Sequence, residues 1–144
     1  NFIDATRYQL VDNAGESPQG IPVVVDGPTA YLATVPVRVM VKAMRENGIP
    51  ADISESAGTF VCNHLMYGVL HYLATSGKTT DDGRPIRAGW VHLPALPATA
   101  ALKKHLGEPS MSTETAAAGL KACIRAVLEH EEDIEEAIVS KFLV

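Results

Sequence analysis

The sequence predicts an α/β fold with a largely parallel sheet. Two observations carry that prediction: apolar runs of helical period alternate with short β-branched runs, and clusters of Gly, Pro, Asn and Asp separate them. With 144 residues, 47% of them hydrophobic and 20% charged, the chain holds enough apolar material for the core of one domain, expected to span 1–144.

Residues 1–20 end in a turn-rich stretch, Asp12-Asn13-Ala14-Gly15-Glu16-Ser17-Pro18-Gln19-Gly20, and Ile21–Pro28 then reads as an excursion or a short strand bounded by turn residues. Thr34 offers an N-cap with Pro36 in the first turn, and Val37, Met40, Val41 and Met44 line one helix face until Asn47-Gly48 and Pro50 stop it. A second helix follows Ala57-Gly58-Thr59-Phe60-Val61-Cys62, with Leu65, Met66, Val69, Leu70 and Leu73 as its apolar residues and an end near Ser76-Gly77. Asp81-Asp82-Gly83 is a turn, and Ile86–Leu93 reads as a buried strand closed by Pro94 and Pro97. Ser112 can cap a third long helix whose inner face takes Ala116, Leu120, Cys123, Ile124 and Val127, with the acidic stretch after it extending or following it.

Charge and pattern exclude several function classes. The net charge is −5 and the 12 Lys and Arg are scattered, so no basic stripe exists to neutralise phosphates, and nucleic-acid binding is disfavoured. The acidic run Glu129–Glu136 reads as a solvated helix face rather than a cation site. No apolar run approaches the roughly 18 residues of a membrane span, and Asn1-Phe2-Ile3-Asp4 lacks the regions of a signal peptide, so a soluble, cytoplasmic protein is expected. Opening on Asn rather than Met suggests that residues precede Asn1. The two cysteines, Cys62 and Cys123, sit in contexts too different to favour a structural disulfide.

Cys62 is the leading candidate for chemistry, because a thiol at a helix N-terminus faces unpaired N–H groups and the positive end of the helix dipole, both of which favour the nucleophilic thiolate. Ser54, Ser56, Ala57 and Gly58 ahead of it let the backbone turn sharply and bring N–H donors toward a substrate oxygen. Position alone leaves open a packed, inert Cys62. His92, at the end of an apolar run, has the chemistry of a base that takes the thiol proton and later protonates a leaving amine, although spacing equally allows a structural histidine. His64 and His71 read as packing or surface residues, His105 and His130 as surface, and Cys123 as core. A zinc site built from Cys62 and His64 fails for want of further ligands at a recognisable spacing, and no phosphate loop or cofactor motif is present.

The residues around Cys62 carry more than their spacing. The run Ser54-Glu55-Ser56-Ala57-Gly58-Thr59-Phe60-Val61-Cys62-Asn63, with Tyr67 four residues on, closely resembles the nucleophile segment of the pyroglutamyl peptidase I family. Ala88-Gly89-Trp90-Val91-His92-Leu93-Pro94-Ala95-Leu96-Pro97 resembles that family's histidine segment, and Pro18, Asp26-Gly27-Pro28, Tyr31–Pro36 and Pro109–Ser112 follow its order. The resemblance implies a three-layer αβα sandwich with a largely parallel twisted sheet, whose N-terminal strand or strands are absent from this chain. It also implies a cysteine peptidase, without metal or cofactor, that removes N-terminal pyroglutamyl residues from peptides through a Cys-His-Glu triad and an acyl-enzyme. Cys62 is then the nucleophile and His92 the base. Phe60, Val61, Leu65 and Tyr8 serve the lactam pocket, and Arg7 matches an arginine near the nucleophile. The triad Glu would lie just ahead of Asn1, and homodimers or homotetramers are expected.

Departures from the family pattern are Glu55 and Ser56 in place of Asn and Thr, and Ala95 where an aromatic is common. The segment alone is expected to be inactive and to expose a sheet edge. Two other readings stay open: a non-catalytic member of the fold that binds peptides or mediates oligomer contacts, and a hydrolase of some other small amide using the same Cys-His pair.

Overall fold

The computed structural model describes residues 1–6 and 9–140. Among them, helices α1 (Val37–Glu46), α2 (Val61–Ser76), α3 (Pro97–Ala100) and α4 (Thr113–Glu129) follow in chain order, with a short 3-10 helix at Lys103–His105 between α3 and α4. Their contacts form two compact units, one of Asn1–Thr34 with Ser54–Trp90, the other of Val35–Ile53 with the chain from Val91 onward. No described helix is long and apolar enough to cross a membrane.

Where the sequence predicts strands, the described residues carry only isolated bridges: Ile3 with Ile21, Thr79 with Pro85, and Ala95 with Ser110. The stretch 21–28, open to an excursion or a short strand, is therefore the excursion, and the expectation of a buried strand at 86–93 is corrected. Past Ile21 the first becomes a turn in which Asp26 takes a φ of 59°. In the second, Thr34 N donates to Ala88 O at 2.8 Å and Ala88 N donates to the Thr34 hydroxyl at 2.8 Å, without a ladder. Leu93 is 53% exposed. A β-branched run becomes a strand only where a partner satisfies its backbone groups along its length, and a sequence pattern does not reveal that partner.

In the first unit, the opening residues act as a suture. Ile3 exchanges backbone hydrogen bonds with Ile21 at 2.8 and 3.2 Å, and Ala5 N donates to Pro18 O at 2.9 Å. The Asn1 side chain accepts from Val24 N at 3.0 Å and donates to Val24 O and Gly27 O at 2.9 and 3.0 Å, closing the 24–27 turn. Under that turn lies Tyr67 of α2, 4% exposed, whose hydroxyl donates to Pro28 O at 2.7 Å. Burial and, secondly, the neighbouring Tyr31 raise the Tyr67 pKa above its ordinary value. Tyr67 stacks on His71, with ring planes 9° apart, and the Tyr31 hydroxyl lies 3.0 Å from His71 Nδ1. His71 is thus a packing residue, one of the two readings that the sequence allows. The helix ends at Gly77, as its sequence predicts.

The second unit is built on α1 against α4. Val39, Met40, Cys123 and Ala126 form its core, with Val35, Ala43, Met44, Val91, Val127 and Ile134 packed around them. Cys123 is 3% exposed, and burial pushes its thiol pKa up. At the end of α1, Gly48 N donates to Arg45 O and Ile49 N to Met44 O, both at 3.0 Å. This reciprocal cap needs a left-handed residue at position 48, and Gly48 takes φ 73° without a side-chain penalty. It folds Ile49 back against Gly119 of α4, where an added Cβ would meet Ile49 Cγ2 at 3.2 Å.

Three sequence expectations fail here, one of them in part. Thr34 does not cap α1. Instead Asp133 supplies both carboxylate oxygens, accepting from Arg38 N and Val39 N at 3.0 Å each, a cap drawn from far along the chain. The acidic run is solvated as expected, each of its Asp and Glu residues being exposed, but it is not a helix face: α4 ends at Glu129, and the residues beyond follow it and lie along α1. There Arg38 donates to Ile134 O at 3.0 Å, Lys42 pairs with Glu136 at 2.6 Å, and Arg45 donates to Val139 O at 2.9 Å. Ile124, expected inside, is 60% exposed, because Gly119, Cys123 and Ala126 define the buried face of α4. Ser112 caps that helix as expected, accepting from Thr115 N at 3.2 Å.

The tightest approach in the first unit yields a test. A Cβ on Gly27 would stand 2.6 Å from the Tyr67 hydroxyl and 3.2 Å from Asn1 Nδ2. Gly27→Ala should therefore destabilise by about 1–3 kcal/mol, read as a lower urea midpoint. Tyr67→Phe in the same background should recover part of that loss, because the hydroxyl oxygen is the atom in the way.

Candidate active site

Cys62 occupies the second position of α2, after Phe60 at the N-cap and Val61. The approach to it is a chain of small-residue turns. Ser54 Oγ donates to Ser56 O at 2.8 Å, Gly58 N donates to Ser56 Oγ at 3.0 Å, and Gly58 adopts φ 84°. That left-handed step is why a glycine stands there. The expectation of a sharp turn at 54–58 is met, with one refinement: Ser56 N and Gly58 N are directed at neighbouring hydroxyls. The amides facing away from the helix are those of its first turn, which in any α-helix have no intrahelical partner, and Phe60 offers them no side-chain cap.

The thiol of Cys62 is free and only partly buried, in contrast to the sealed Cys123. Beside it, Phe60 is half-buried, while Val61 and Leu65 are each 49% exposed. The structure thus brings Phe60, Val61, Cys62 and Leu65 together on the first two turns of one helix, and Glu55 is exposed in the loop ahead of them. Arg7 and Tyr8 lie outside the described residues.

His92 belongs to the second unit. It is exposed and held on both sides. Val91 before it packs against the α1–α4 core, and Ala95 after it accepts from Met111 N at 2.9 Å. The remaining histidines do other work. His64 is exposed, His105 lies 2.8 Å from Glu108, and His130 Nδ1 lies 3.1 Å from Ala126 O at the end of α4. Among the described residues, no three His, Cys, Asp or Glu side chains gather as a metal ion would require.

The sequence reading missed what fixes the turn that presents Cys62. Asp4 N donates to Thr59 O at 2.6 Å, Thr59 Oγ1 donates back to Asp4 O at 3.2 Å, and Asn63 Nδ2 donates to Phe2 O at 2.8 Å. One signal was available: Asn is a poor residue inside a first helical turn unless its side chain has a partner elsewhere. Nothing in Phe2-Ile3-Asp4 marks that segment as the partner.

Comparison with known proteins bears on this geometry. The model of the pyroglutamyl peptidase family matches residues 1–130. The chain is 58% identical over 141 residues, 98% of its length and 61% of the relative's, to a pyrrolidone-carboxylate peptidase of Mycobacterium marinum. Among solved structures, the pyroglutamyl peptidase I of Bacillus amyloliquefaciens superposes with a TM-score of 0.82 at 34% identity, over 95% of this chain and 60% of that one. A mutant pyrrolidone carboxyl peptidase from Pyrococcus furiosus gives 0.80 at 38% identity, over 91% of this chain and 60% of that one. These likenesses are consistent with the α/β class, and the chain spans 61% of the Mycobacterium marinum relative's length. With more than half of its residues inside the family model and 58% identity to a relative across nearly all of them, the chain belongs to the pyroglutamyl peptidase family.

Proposed function

We propose that this chain carries the nucleophile and the base of a cysteine peptidase that removes N-terminal pyroglutamyl residues from peptides. The single observation that carries the reading is a partly exposed, free Cys62 thiol in the first turn of α2, within the segment that the family model matches. In the proposed reaction, His92 takes the proton from Cys62 Sγ as the sulfur attacks the pyroglutamyl carbonyl carbon. The oxyanion is met by first-turn amides of α2, which the absence of a side-chain cap leaves open to a ligand. His92 then protonates the departing amine as the C–N bond breaks, leaving a thioester on Cys62. Water, deprotonated by His92, hydrolyses the thioester, releasing 5-oxoproline and returning the proton to sulfur.

Phe60, Val61 and Leu65 wall the lactam, with Tyr8 and Arg7 as further candidates. A Glu that orients His92 would come from the part of the relatives' length that this chain does not span. The same part would complete the three-layer sandwich and its largely parallel sheet, giving the single 1–144 region the strands it pairs with. No metal or cofactor enters this reaction.

Release of p-nitroaniline from pyroglutamyl-p-nitroanilide tests the proposal, using the chain alone and a form extended at its N-terminus to the relatives' length. Turnover is expected from the extended form and little or none from the chain alone. Cys62→Ala should reduce turnover by at least about a thousandfold, and activity surviving that substitution removes Cys62 from the mechanism. Self-association into dimers or tetramers belongs to the same proposal. Sedimentation velocity on the extended form should give a mass of two or four subunits, and a monomer at micromolar concentration contradicts it.

A further inference from the structure

The geometry points to Asn63 as a positioning residue for the Cys62 thiol, acting through its hydrogen bond to the Phe2 carbonyl. This inference rests on the reading of Cys62 as nucleophile. Three hydrogen bonds bracket the turn. Thr59, three residues before Cys62, both accepts from Asp4 N at 2.6 Å and donates to Asp4 O at 3.2 Å. Asn63, one residue after it, donates to Phe2 O at 2.8 Å. The α-helix alone fixes the backbone from His64 onward, beginning with His64 N to Phe60 O at 2.9 Å. Ahead of that bond, the N–H groups of the first turn have no intrahelical acceptor to hold them. The Asn63 side chain adds a tie there from outside the helix's own ladder.

What Asn63 grips is itself immobilised. Next to Phe2, Ile3 is bridged to Ile21 at 2.8 and 3.2 Å, and Ala5 is tied to Pro18 at 2.9 Å and fully buried. On the other side Asn1 holds the 24–27 turn through its side chain. A donor at position 63 therefore references the thiol-bearing turn to a fixed segment, where a side chain facing water would leave the turn free to fray. The orientation of a nucleophile bears on the chemical step more than on ground-state binding, so the loss should appear in kcat.

The test uses the form extended to the relatives' length, with pyroglutamyl-p-nitroanilide as substrate and iodoacetamide labelling of Cys62 as a second readout. Asn63→Ala should lower kcat about tenfold while KM stays within about twofold. Asn63→Asp should do the same, since a carboxylate cannot donate to the Phe2 carbonyl. Asn63→Gln, which keeps the donor on a longer arm, should recover most of the rate. Gly119→Ala in the other unit serves as a control for lost stability and should leave kcat unchanged. Undiminished kcat in Asn63→Ala overturns the positioning role, as does an equal loss of kcat in Gly119→Ala at matched thermal stability. A parent protein showing neither turnover nor labelling at Cys62 removes the nucleophile reading, and this inference with it.

Discussion

A cysteine in the first turn of a helix is useful only if that turn stands still, and here the stillness comes from outside the helix. The hydrogen bonds of Phe2 and Asp4 to Asn63 and Thr59 are the contacts on which the candidate site depends. A first helical turn has the fewest backbone bonds of any part of the helix, so its position is set by whatever it is tied to. The tie in this protein is a segment nearly sixty residues away in sequence, itself sutured to the 18–27 region. Alongside it, Tyr67 anchors the middle of the same helix beneath Gly27 and Pro28, so the helix is held at its start and along its flank.

The second unit follows the same logic with charge in place of amides. The N–H groups that open α1 are satisfied by Asp133, and the basic residues along that helix take the backbone and carboxylates of 134–139. Asp52 joins the arrangement through Arg45, 3.2 Å away, and through the Ser140 hydroxyl. Hydrogen bonds from Ser140 and the Ile53 amide, ahead of the charge of Arg45, lower its pKa. The solvated acidic run thus also serves as a strap that closes one helix.

These cases mark what sequence can convey. Helix ends written in local chemistry were legible: Gly48 at the end of α1, Gly77 at the end of α2 and Ser112 at the start of α4 all sit where their residue types require. Cys123 in the core and Cys62 at a helix entrance were legible for the same reason. Features that depend on a distant partner were not. Thr34 has the right type for a cap, yet its hydroxyl goes to Ala88 and Asp133 takes the capping role. The run 86–93 reads as a strand closed by prolines, but that pattern does not supply a neighbouring strand. Ile124 fits an apolar periodicity, yet the small residues Gly119 and Ala126 set which face of α4 approaches α1. The motif around Cys62 identified the family, while the three hydrogen bonds that steady it lay beyond what the motif states.

The most direct test is to trap the nucleophile with a lactam-bearing electrophile, pyroglutamyl chloromethyl ketone, on the protein at the length of its relatives, and to locate the adduct by peptide mass spectrometry. The account predicts one adduct per chain, on Cys62, that forms more slowly in excess 2-pyrrolidone and spares Cys123. An adduct on Cys123, or labelling of Cys62 that the free lactam does not slow, contradicts it.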